Sequence, residues 1–151
     1  MSHTEKTREP TQSDINDLHD EAKKAKDVLI KAESIFPFVL FPDTIAVSRT
    51  KVAITIRSFF KVAEVISLQI SDILNVEADT GPFFGSLKIY TRIYGTDPLR
   101  ITFLSRKDTI AVKRIIEGHV IAHMKQMDIS NLERKELVGL LKSLGSDAPL
   151  T

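Results

Sequence analysis

The chain has 151 residues, 42% of them hydrophobic and 27% charged, which suits one globular domain able to bury a self-sufficient core. The absence of cysteine excludes disulfides, thiol nucleophiles and cysteine-ligated zinc, and a formal net charge of +1 without like-charge blocks argues against non-specific nucleic-acid binding. No segment approaches the roughly 20 consecutive apolar residues of a membrane-spanning helix, and residues 1–12 are polar where a secretory signal would be apolar, so a soluble, cytoplasmic protein is expected.

Residues 1–10 carry no apolar periodicity and read as a tail. Thr11 and Asp14 then have capping-box spacing, and Ile15, Leu18, Ala22, Ala25, Leu29 and Ala32 recur at steps of three and four, predicting an amphipathic helix over residues 11–35. Such a stripe has to be covered, either by the helix's own domain or by self-association, which the heptad step also permits.

From Phe36 the period changes to two. Ile45 and Val47, then Val52, Ile54 and Ile56, alternate with smaller or polar residues and predict a hairpin turning at Arg49-Thr50. Ile66, Leu68 and Ile70 predict a third strand, and the phase of alternation slips near Asp72, predicting a bend. Leu87, Ile89 and Thr91, and after the turn at residues 95–98 Leu99, Ile101 and Phe103, complete a meander without intervening helices, which indicates an antiparallel sheet. Ser105 and Asp108 repeat the capping-box spacing before a helix of about five turns reaching Met124, in which Gly118 marks a close approach to a neighbouring element. A shorter helix is expected from Ser130, boxed with Glu133, to a stop at Gly145.

The segment 70–89, ISDILNVEADTGPFFGSLKI, together with the strand pair Asp43–Val47 and Lys51–Ile56, resembles the bacterial pleckstrin-homology-like (PH-like) domains of the YdbS type over roughly residues 38–125. The resemblance implies an α+β fold: a curved antiparallel sheet or barrel of six to seven strands closed by a C-terminal helix. Here it would carry an added N-terminal amphipathic helix and a short extra C-terminal helix. It divides the chain into a tail (1–10), an N-terminal helix (11–35), a PH-like domain (36–127), a C-terminal helix (128–145) and a tail (146–151). It also implies a non-catalytic binding or assembly module without a cofactor. Many relatives carry transmembrane helices, and this chain departs from them in having a charged amphipathic helix in that place.

Residue chemistry adds two candidate contact surfaces. Phe59-Phe60 and Phe83-Phe84 fall at strand connections, where adjacent side chains face opposite ways, so one of each pair packs inward and the other is free to pack or to meet a partner. Arg49, Lys51, Arg57, Lys88, Arg92 and Arg100 occupy turn or outward positions by parity, either as a solvated exterior or as one positive face for anionic lipid or an acidic protein. Gly81 and Gly85 bracket the second phenylalanine pair and suggest positive φ at a tight crossing. His119 and His123 have the i, i+4 spacing of metal ligands but no third ligand is marked, and Asp72, Glu77 and Asp79 form no acid–base pair, so neither metal nor catalysis is assigned. The expectation is a protein-binding or scaffold module that self-assembles or holds a protein partner, with anionic lipid as the alternative ligand.

Overall fold

A computed structural model describes residues 11–58 and 63–146; the expectations placed on residues 1–10, 147–151, Phe59 and Phe60 lie outside the described residues. Within it, helix α1 (Gln12–Asp27) precedes a four-stranded antiparallel sheet in the order β1 (Val28–Glu33), β2 (Thr44–Ser48), β3 (Lys51–Arg57), β4 (Ala63–Gln69). A 3-10 turn (Ile70–Asp72) leads to a three-stranded antiparallel sheet of β5 (Ile73–Thr80), β6 (Phe84–Thr91) and β7 (Leu99–Ser105). Helices α2 (Arg106–Met124) and α3 (Arg134–Ser146) follow. The fold is α+β, and the two ladders do not close into a continuous barrel.

Alternation accounts for the first sheet. Successive rungs Ala32–Ile45–Ile54–Ile66 and Ile30–Val47–Val52–Leu68 face inward, and nearly all of these side chains are buried. The slip near Asp72 is the 3-10 corner, where the chain leaves one sheet for the other. The sequence reading placed Leu29 and Ala32 on a helix, yet both are buried on β1. A bulge between Val28 and Ile30 lets Leu29 and Ala32 face inward three residues apart, which imitates a helical step.

The C-terminal helices join the same core, which includes Leu29 of β1 as well as Leu137 and Leu141 of α3. Ser105 caps α2, its Oγ accepting from the Asp108 amide at 3.0 Å. Gly118 lies directly under the Leu141 carbonyl, so a Cβ there would overlap α3 backbone, as the sequence suggested for a close approach. Gly145, where a stop was expected, is the penultimate residue of α3, and it is also buried against the Arg114 carbonyl, a second contact of the same kind. Nor does Ser130 box with Glu133: its hydroxyl bonds Asp128 at 2.6 Å, and α3 starts at Arg134, with the Leu137 amide donating to the Glu133 carbonyl. Lys113 of α2 is almost fully buried and paired with Glu117 at 2.6 Å. No helix among the described residues is long and apolar enough to cross a membrane.

Candidate functional site: an aromatic end

The end of the molecule opposite the β2–β3 hairpin is built by three segments. The connection after β1 is held down by Ser34, whose Oγ donates to the Thr102 carbonyl at 2.8 Å, and by the Ile35 amide, which donates to the Phe103 carbonyl at 2.8 Å. These carbonyls are presented by a bulge in β7, where Thr102 and Phe103 oppose Ser86 and Phe103 takes φ +55°, an uncommon conformation for a bulky residue. The turn between β5 and β6 is closed by the Gly81 amide on the Phe84 carbonyl at 2.7 Å.

The result is a three-ring cluster. Phe38 lies 4.7 Å from Phe84 and 6.1 Å from Phe103, and Phe84 meets Phe103 edge-on at 5.9 Å between centroids. Only Phe84 is half-buried; Phe36, Phe38, Leu40 and Phe103 are exposed, and Phe83 at the tip is 77% exposed. Of the predicted pair, Phe84 therefore packs and Phe83 points outward. Neither Gly81 nor Gly85 has positive φ. Gly85 is instead required because a Cβ would overlap Thr109 at the start of α2. Sequence reasoning missed Phe38 and Phe103, since their ring contacts with Phe84 depend on the bulge, and it also missed the exposed Phe36 and Leu40 beside Phe38 in the chain.

The basic residues do not form one face. Arg49 is partly buried and donates to the carbonyls of Leu132 (2.9 Å) and Ile129 (3.5 Å), holding the α2–α3 connection against the hairpin, with Asp27 4.0 Å away. Arg57 reaches Glu33 and the Pro42 carbonyl on the first sheet. Lys88 pairs with Asp79 at 2.9 Å on the second sheet, beside Glu77 and Arg100. Glu77 in turn accepts from the Tyr90 hydroxyl at 3.3 Å, so the acids of this face serve cross-strand pairing. Arg92 is exposed at the end of β6, and its amide donates to the Asp72 carbonyl. Lys51 is exposed on the first sheet.

His119 is buried, with Nε2 3.0 Å from the Ser48 carbonyl, and burial holds its pKa below the ordinary value of 6.5. His123 is exposed beside it. Both line a shallow cleft of about 260 Å³ with Arg49, Gln69, Ser71 and Met127. No group of three or more possible ligands that could hold a metal ion occurs among the described residues. Compared with known proteins, the chain matches no family's sequence profile and no curated protein.

Proposed function

We propose that this chain is a non-enzymatic PH-like module that holds a protein partner by its aromatic end and so acts as an adaptor or scaffold. What supports the PH-like reading is the succession of seven antiparallel strands, in sheets of four and three, followed by a helix packed on both, beside the resemblance of residues 70–89. The contact role rests on one observation: Phe36, Phe38, Leu40, Phe83 and Phe103 are all exposed and gathered at one end. A contiguous apolar patch of this kind is a common mark of an interaction surface, and burying each phenylalanine is worth on the order of 2 kcal/mol.

A photo-crosslinking residue placed at position 83 or 38 of the full chain tests this. Both positions are expected to give the same protein adduct in cells, and Phe103→Ser should abolish it, while position 92, outside the patch, should give none. Co-sedimentation of the purified chain with anionic vesicles that depends on Phe83, in the absence of any protein adduct, would replace the reading with the anionic-lipid alternative.

A further inference from the structure

We propose that α1 is a dimerisation arm, lying across the outward face of the first sheet of a second copy of this chain while the partner's α1 does the same in return. The inference deepens the scaffold reading and rests on it, but uses a surface separate from the aromatic end.

Four observations converge. First, the stripe that organises α1 is largely uncovered: Leu18 is 61% exposed, Ala22 is exposed and Ile15 is half-buried, and the main neighbour of α1 is β1, the strand that continues it. Second, the direct join of α1 to β1 leaves no loop by which α1 folds back over its own sheet. Asp27 ends the helix and Val28 already pairs with Ser48, leaving no connecting residue, whereas helix–strand reversals usually take two to six. Arg134 fixes that junction from α3, donating to the carbonyls of Val28 (3.0 Å) and Leu29 (3.4 Å).

Third, the outward face of the first sheet is shaped to receive a helix. Its central rung is Lys31–Ala46–Ala53–Ser67, flanked by Thr55 paired with exposed Val65. Small side chains leave it flat, and a hollow of about 310 Å³ starts at the foot of α1 between Val28, Ala46, Ser48, Lys51 and Ala53. A 16-residue helix, about 24 Å long, crosses all four strands, whose axes span about 14 Å. Fourth, the charges match. The first half of α1, residues 12–20, carries Asp14, Asp17 and Asp20 and no Lys or Arg, the lysines of the helix (Lys23, Lys24, Lys26) being confined to its second half, whereas Lys31 and Lys51 on the face have no ion pair among the described residues. Reciprocal exchange makes the contact isologous and closed, the commonest arrangement of a homodimer.

The cysteine-free sequence allows a direct test with Leu18→Cys and Ala53→Cys single variants of the full chain, mixed and treated with a short bis-maleimide. The expected result is a covalent dimer from the mixture and little from either variant alone. Crosslinking only within the double variant, as a monomer, would place α1 on its own sheet and overturn the proposal. So would self-crosslinking of Leu18→Cys alone, which would show helix-to-helix pairing. By light scattering the full chain should be a dimer that Leu18→Glu, on an exposed position, converts to monomer and Phe83→Ser does not. A wild-type monomer would end the dimer inference and leave the aromatic-end reading standing, while dissociation by Phe83→Ser alone would move assembly to the aromatic end.

Discussion

Helices α1 and α3 are short amphipathic segments of similar appearance in the sequence, yet one is sealed into the core and the other is bare. Leu137 and Leu141 of α3 are fully buried, whereas Leu18 of α1 is mostly exposed. The difference lies outside the stripes themselves. Helix α3 meets α2 at Gly118 and Gly145, two points where the absence of a Cβ brings backbone onto backbone, and α1 has no such partner. Hydrophobic periodicity says that a face wants covering; paired small residues at the right levels show where the cover sits.

The sealed side should break most severely at its buried ion pair. Glu117→Ala leaves the Lys113 ammonium almost fully buried without its 2.6 Å partner, and a loss of about 3–5 kcal/mol in urea denaturation is expected. Replacing both together, Lys113→Met with Glu117→Leu, should recover most of it. A double variant as unstable as Glu117→Ala would mean that the pair contributes more than the cost of its own desolvation.

Next comes the glycine seam. In Gly118→Ala the added methyl meets the Leu141 carbonyl, a backbone group that cannot swing away, so α3 has to shift bodily. About 3 kcal/mol is expected, at the upper end of over-packing costs. On the bare side, Leu18→Ala should change the stability of the monomer by no more than about 0.5 kcal/mol, the usual range for an exposed position. Equal losses at the two positions would erase the contrast between the helices.

A smaller effect tests the junction between α2 and the β2–β3 hairpin. His119 is held neutral by burial, so its folded pKa lies below 6.5 while the unfolded chain titrates near 6.5. Between those values the unfolded state binds more protons. The stabilisation associated with His119 is therefore complete above about pH 6.5, declines as pH falls toward the folded pKa, and is constant below it. Stability measured by denaturation from pH 7.5 to 5 should fall in wild type and remain flatter in His119→Gln. Parallel curves would mean that another group carries the acid sensitivity.

Much of this fold was legible because its strands obey period two. Ile45, Val47, Val52, Ile54, Ile66 and Leu68 are all inside, where alternation put them. Strand β1 was not legible, because the bulge at Val28–Ile30 gives Leu29 and Ala32 a three-residue step that continues the helical stripe from Ile15 to Ala22. At the site, parity separated Phe83 from Phe84 only as alternatives, and the chain could not declare that Phe38 and Phe103 join them, since those contacts depend on a bulge distant in sequence. The basic residues failed as a set for a related reason. Parity assigns each to the outside of its own strand, but Arg57 and Lys88 belong to different sheets with separate outsides, and each has acidic or carbonyl partners there.

A further small effect sharpens the comparison by strengthening the sealed side. Helix α2 ends in a Schellman turn, with the Met127 amide donating to the Ala122 carbonyl and the Gln126 amide to the His123 carbonyl, both at 3.0 Å. The position that must be left-handed is Gln126, at φ +53°, where glycine has no steric penalty. Gln126→Gly removes a strained Cβ but widens the conformational freedom of the unfolded chain, and the first term should win because the turn is held at both hydrogen bonds. A gain of about 0.5–1 kcal/mol is expected, comparable with the size of other well-placed backbone substitutions. It should appear as a higher urea midpoint with an unchanged slope, and it should leave α1-mediated assembly untouched, since Gln126 is on neither α1 nor the outward face of the first sheet. A loss of stability would mean that unfolded-state entropy outweighs the left-handed strain at this turn. A changed dimer mass would couple the end of α2 to the arm and contradict the separation of the two sides.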